Sequence, residues 1–262
     1  MATQEKGMHT STPIIACLLG IPLLGVTTPM ALANPAATSD LTLNGSAKIL
    51  TQPKGGSVLW LTPAKEDQAG TAFSTRAIEF NPRYVFSTSF QFKMTDPGAG
   101  GASDGMAFVL QTEGASALGA NGGGLGYVGI APSVAVEFDT WQNAGIDIND
   151  NHVAILTNGQ LIDHDSQTPY GVTNCQPTGA FGCMSNGDTW SVWIDYDGKA
   201  LNVAVADNSL IRPANLISRP IDIPGLLGQP SAFVGFTAGT GLGWENHYIV
   251  NWQFIAAPAD SK

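Results

Sequence analysis

Ten short runs in this chain alternate apolar and polar residues with a period of two, and no stretch of ten residues carries a convincing 3.6-residue period. They read SVLWL, AFSTRAIEF, YVFSTSFQFKM, GMAFVLQ, SVAVEFDTW, HVAIL, WSVWIDY, ALNVAVAD, SAFVGFTA and YIVNWQFI. Such runs are strands with one face toward a core. Strands with no helices between them lack the crossovers that parallel pairing needs, so the pattern predicts antiparallel sheets packed face to face, an all-β sandwich or jelly roll. Asn158-Gly159 and Asp197-Gly198 sit where two hairpins would turn, and both dipeptides tolerate the positive φ of two-residue turns. SALGAN, residues 116–121, has room for a single helical turn. Only 12% of the 262 residues are charged, which excludes long charged helices, and the length suits one large β domain.

Residues 1–33 read as an export signal. Lys6 lies in a polar start, an apolar run follows from Ile14 to Val26, and Ala31-Leu32-Ala33 forms a small-x-small cleavage site before Asn34. The run is too short to span a membrane, so a secreted, periplasmic or extracellular protein without membrane insertion is expected, its single domain occupying residues 34–262. Removal of the signal discards Cys17 and leaves Cys175 and Cys183, eight positions apart in NCQPTGAFGC; an oxidising compartment favours a disulfide between them.

The net charge is −10, which argues against nucleic acid and anionic membrane surfaces as partners. That charge is unevenly placed. From Met94 to Gly198 there is no Lys or Arg, yet the stretch holds twelve carboxylates. Carboxylates gathered without basic partners repel one another, so they either disperse on a solvated surface or meet some other cation.

The spacing in VAVEFDTWQNAGIDINDNHVAI, residues 134–155, favours a cation. On a strand, Val134, Val136 and Phe138 share one face, while Glu137, Asp139 and Trp141 share the other, with the two acids about 7 Å apart. Asp147 follows eight residues after Asp139 and His152 five later, so one loop can fold a third acid and an imidazole back onto the pair. Asn143 adds an amide oxygen. Oxygen ligands alone suit Ca²⁺, and carboxylates mixed with imidazole suit a transition ion such as Mn²⁺. The plainer alternative is that Glu137 and Asp139 face water and His152 bonds locally at a strand start.

These residues resemble the metal-binding signature of the legume-type (L-type) lectin family. Three further segments match in the family's order: SDGMAFVLQ at 103–111, GGGLGYVGI at 122–130 and VGFTAGTGLGWENHYIVNWQF at 234–254. The likeness covers about residues 38–256. It implies a concanavalin-like antiparallel β-sandwich that binds carbohydrate without catalysis; a homo-oligomer is compatible with that fold. Carried over position by position, Glu137, Asp139, Asp147 and His152 would hold the Mn²⁺-like ion. Asp139, the Trp141 carbonyl, Asn143 and Asp147 would hold Ca²⁺. The sugar would meet the Asp104 carboxylate, the Asn143 amide, the Gly124 N–H, the Trp141 ring, and the backbone of Leu242 and Gly243 in the variable GLGWE loop. Trp244 in that loop would either pack for stability or extend the sugar platform. The Ser103-Asp104 bond matches a position that is cis in the family.

Two features depart from the family pattern. After HVAI the chain reads LTNGQL in place of an Asp-x-Asn-Ser run, so the hydroxyl that holds a water at the second ion is unassigned. The Cys175/Cys183 loop is absent from typical plant members and, with the export signal, fits a bacterial or other non-plant branch. Two alternatives share the fold. One is a polysaccharide hydrolase, which would need a third acid where Trp141 stands; the other is a surface or matrix protein that has lost sugar binding.

Overall fold

The computed structural model describes residues 40–53, 55–80, 82–176 and 180–257. The expected export signal and Cys17 lie outside them. Fifteen strands form along the described chain. They are β1 (Leu41–Gly45), β2 (Lys48–Thr51), β3 (Ser57–Thr62), β4 (Ala69–Ser74), β5 (Ile78–Glu79), β6 (Phe86–Thr95), β7 (Gly105–Gln111) and β8 (Ser133–Asp139), followed by β9 (His152–Thr157), β10 (His164–Gln167), β11 (Trp190–Tyr196), β12 (Ala200–Asp207), β13 (Ile217–Pro220), β14 (Ser231–Gly239) and β15 (Asn246–Ala256).

Every pairing is antiparallel. One sheet runs β1-β4-β14-β7-β8-β9-β10, with β5 beside β14, and the other runs β13-β12-β11-β6-β15-β3-β2. The two pack as the expected sandwich, and their alternating apolar positions interlock in one core. Phe90 meets Phe236 edge-on at 4.9 Å and Phe138 at 5.7 Å, while Phe92 stacks on Trp190 at 6.2 Å. Burial of such rings is the main favourable term in folding.

The first sheet is covered on its other face as well. Ala107, Val109, Ala135 and Leu156 point away from the main core and pack with Leu125, Tyr127 and Ile130 of the loop between β7 and β8. All seven residues of β8 are therefore buried, including the acids on its outer face.

Several elements differ from the sequence expectation. AFSTRAIEF is two strands, β4 and β5, separated by a bend. β1, β2, β10 and β13 are short edge strands without a clear alternating apolar run. Asn158 and Gly159 both have positive φ, as a two-residue turn requires; at the other hairpin only Gly198 does, and Asp197 closes a longer turn by accepting the Lys199 and Ala200 N–H groups. SALGAN forms no helix. The one α-helix among the described residues, α1 (Ile223–Leu227), follows Asp222, whose side chain accepts the Gly225 N–H at its start.

Candidate functional site

Register brings the chemistry to one end of the first sheet. Gly239 of β14 lies beside Gly105 of β7, Gly105 beside Asp139 of β8, and Asp139 beside His152 of β9. Because neighbours run in opposite directions, the ends of β14 and β8 meet the starts of β7 and β9. The loops carrying Asp104, residues 139–152 and residues 240–245 therefore emerge together.

Glu137, Asp139, Asp147 and His152 converge as the spacing predicted. Ligand atoms of Asp139, Asp147 and His152 lie within 4.8 Å of one another, and so do those of Glu137, His152 and Asp163. Glu137 is 1% exposed, Asp139 2% and His152 fully buried, which removes the reading in which these groups face water. The intervening loop folds around the acids: the Trp141 N–H donates to Asp139 Oδ1 at 2.7 Å and the Asn143 N–H donates to Asp147 Oδ2. His152 Nδ1 donates to the Asn149 carbonyl at 3.0 Å, which turns Nε2 toward Glu137 Oε1 at 3.3 Å and Asp163 Oδ2 at 3.1 Å.

The buried acids and imidazole perturb one another strongly. Burial raises the Glu137 carboxyl to about 8 and also raises Asp139 and Asp147. For His152, burial lowers the imidazole, but the Asp163 and Glu137 carboxylates outweigh it and bring it up to about 11. Burial would raise Asp163 too, yet the close His152 imidazole, the neighbouring Glu137 and the Ser166 hydroxyl together hold it below its ordinary value. Glu137 Oε1 and His152 Nε2 are buried without a hydrogen bond of acceptable geometry. Orphaned buried acceptors with an O/N donor set are what divalent ions take as ligands.

Beside this cluster lies Asp104, 5% exposed, after the cis Ser103-Asp104 peptide that the resemblance implied. Its Oδ2 has no hydrogen-bond partner among the described residues. Burial raises the carboxyl to about 7, outweighing the nearby Ser103 hydroxyl and Gly241 main chain, while Glu245 and Asp147 push it the same way as burial. The Asp104 carbonyl accepts the Thr140 N–H at 2.9 Å, locking this loop to the metal-type loop.

The remaining sugar candidates fall around Asp104 in different ways. Asn143 stands against Gly123, where an added Cβ would come within 2.8 Å of the amide, so only glycine permits that approach. The Gly124 N–H donates to the Asn121 carbonyl at 3.0 Å, where the chain closes a tight turn. Leu242 is 83% exposed at the tip of its loop. Gly243 is buried beneath it, and a Cβ there would lie 2.7 Å from Ser103 Oγ. Trp244 is partly exposed, its ring lies against Gly98 and its carbonyl accepts the Gly98 N–H at 2.8 Å.

Three contributors had no sequence signal. Asp163 sits in IDHDSQ, where nothing distinguishes it from Asp165 until the register of β9 and β10 is known. Glu245, fully buried, accepts the Thr140 hydroxyl at 2.6 Å beneath the three loops. Gln176 clamps two of those loops: its Nε2 donates to the Ala102 carbonyl at 2.9 Å and the Thr140 carbonyl at 3.0 Å, and its Oε1 accepts the Ala102 N–H at 3.3 Å. The predicted Cys175–Cys183 disulfide is present, with both cysteines buried and their Cα atoms 5.5 Å apart. It closes the segment that carries Gln176, and Asp150 accepts the Cys175 and Gln176 N–H groups from the metal-type loop.

Comparisons with known proteins agree with this architecture. The L-type lectin-domain containing receptor kinase I.8 of Arabidopsis thaliana is 34% identical over 235 residues, covering 84% of this chain and 34% of the relative. Receptor kinase VIII.1 of the same plant is 31% identical over 252 residues, covering 89% of this chain and 32% of the relative. The chain thus spans about a third of the length of these curated relatives. Among solved structures, a lectin from Bauhinia forficata in complex with GalNAc superposes with a TM-score of 0.70 at 20% identity, covering 89% of this chain and all of that one. Basic winged bean lectin with Tn-antigen gives 0.70 at 25%, with 88% and 99% covered. The sandwich is therefore the concanavalin-like one. These relatives are plant proteins, so the bacterial branch expected from the cysteine loop finds no support; a nine-residue disulfide loop is a local addition and carries no mark of source. The legume lectin domain matches residues 32–262, and the chain belongs to that family.

Proposed function

We propose that this protein is a non-catalytic carbohydrate-binding lectin whose sugar site is held in shape by Ca²⁺ and a Mn²⁺-like ion, and that it works outside the cytoplasm. The orphaned, buried Oδ2 of Asp104, at the meeting of three loops, carries the reading. A carboxylate there accepts hydroxyl hydrogens, and the Asn143 amide beside Gly123 adds a donor and an acceptor, which together match the vicinal hydroxyls of a sugar. Gly124, and Gly123 beside the Asn143 amide, are the candidate main-chain donors. Trp141 offers an aromatic face, and exposed Leu242 lies where the rim of the site selects among sugars.

Glu137, Asp139, Asp147 and His152 fit the transition ion, and Asp139, Asp147, Asn143 and the Trp141 carbonyl fit Ca²⁺. Bound ions would offset the buried carboxylates and fix the loop that presents Asn143 and Trp141. Trp141 stands where a hydrolase of this sandwich would need its third acid, so the proton donor for glycoside cleavage is missing.

A glycan array probed with Ca²⁺ and Mn²⁺, and again after chelation with verified metal loss, tests the proposal. Binding that vanishes with the metal is the expected result. Undiminished binding without metal would overturn the metal role, and sugar release from glucans would overturn the non-catalytic one.

A further inference from the structure

Asp163 enters the metal-type cluster from a strand that the signature segment does not include. The register of β9 and β10 shifts between His164 and Gln167, and just before that irregularity Asp163 reaches inward to 3.1 Å from His152 Nε2. Its side chain is 9% exposed. Ser166, three residues on, donates its hydroxyl to Asp163 Oδ2 at 2.7 Å. A hydroxyl thus stands near this position, and it holds a carboxylate.

We propose that Asp163 is a fifth side-chain ligand of the transition-metal half of the site, with Ser166 as the residue that orients it. The inference rests on the metal-binding reading above. Two buried atoms without a hydrogen bond of acceptable geometry, Glu137 Oε1 and His152 Nε2, converge with an Asp163 carboxylate oxygen, all within 4.8 Å of one another. Charge supports the assignment. Among the ligands themselves, Glu137, Asp139 and Asp147 bring three negative charges to two divalent ions, and Asp163 supplies a fourth that lets the ligand set balance them without Asp104, which lies outside it. A balanced buried cluster is the cheaper arrangement, because an uncompensated buried charge keeps its full desolvation cost.

The competing role is that Asp163 is only a counter-ion to a charged His152, displaced when metal arrives. The two roles predict opposite signs. Loss of a ligand weakens metal binding, whereas loss of a counter-ion frees the imidazole and leaves metal binding equal or tighter.

The test uses the full chain, stripped with chelator and titrated with Mn²⁺ at fixed pH, free Mn²⁺ being read by its EPR signal. Asp163→Asn keeps the shape of the side chain, and Ser166→Ala removes only the orienting hydroxyl. The expected result is at least a tenfold loss of Mn²⁺ affinity in Asp163→Asn and a smaller loss in Ser166→Ala. Equal or tighter binding by Asp163→Asn overturns the proposal while leaving the metal-binding reading intact. No Mn²⁺ uptake by the unaltered protein overturns both. If Asp163→Asn fails to fold, the unaltered protein decides: line broadening in ¹⁷O-enriched water should show about one bound water on an ion of octahedral preference, and about two would overturn the assignment.

Discussion

Replacing Gln176 by alanine separates the disulfide-closed segment from the sugar loops while touching no proposed ligand of metal or sugar. The side chain makes three hydrogen bonds, to the Ala102 carbonyl at 2.9 Å, the Thr140 carbonyl at 3.0 Å and the Ala102 N–H at 3.3 Å. Ala102 is fully buried and Thr140 nearly so. Each bond contributes about 0.5–1.5 kcal/mol net, and groups left unpaired in a buried site cost at the upper end of that range, so the variant should lose roughly 2–4 kcal/mol. For a domain of this size, that corresponds to a fall of roughly 5–15 °C in the melting midpoint. Differential scanning fluorimetry in Ca²⁺ and Mn²⁺ measures the shift. Glycan affinity, read on the best array ligand well below the midpoint, should drop because the Asp104 loop is then tied to the loop presenting Asn143 by the Thr140–Asp104 contact without the Gln176 bridge. Metal content should stay unchanged. A midpoint within about 1 °C of the unaltered protein, with equal glycan affinity, would refute the clamp.

Other outcomes separate the parts of the site. Asp139→Ala should lose both ions and all glycan binding, whereas Asp104→Ala should lose glycan while retaining metal by mass spectrometry; equal metal loss in the two variants would contradict that division. In chelator, Asp104 and Glu137 titrate at about 7 and about 8 in the folded chain, well above their unfolded values. The folded state therefore binds more protons than the unfolded one between about pH 4 and pH 8, and the stability of the metal-free protein should fall as pH rises through that window. The raised His152 adds a loss of the same sign above about 6.5. Melting midpoints at pH 5, 6, 7 and 8 check this, and a midpoint that climbs with pH would be inconsistent with it. Cys175→Ser with Cys183→Ser opens a loop whose ends are eight positions apart, which should cost about 2.5 kcal/mol by chain entropy and weaken glycan binding through Gln176. Titration with denaturant would expose an effect near zero.

Much of the sandwich was legible because its central strands put an apolar residue toward the main core at every second position, even where their other face is covered too. SVAVEFD, GMAFVLQ and WSVWIDY become β8, β7 and β11 with the expected faces. The edge strands β1, β2, β10 and β13 were not legible, since an edge buries too little of either face to need an apolar run. The same division runs through the site. Glu137, Asp139, Asp147 and His152 lie on one strand, one loop and the start of the next strand, so local spacing alone aimed them at a common point.

Asp163, Gln176 and Glu245 reach that point from elsewhere in the chain, and no spacing relates them to it. Asp163 depends on a register irregularity between two strands, Gln176 on a disulfide-closed segment folded back over β7 and β8, and Glu245 on β14 and β15 entering different sheets. The sequence by itself determined an acidic cluster without basic partners and the family to which it belongs. Only tertiary structure decided which acids are buried together, because burial and mutual distance, more than residue type, turn a carboxylate from a solvated surface group into a ligand.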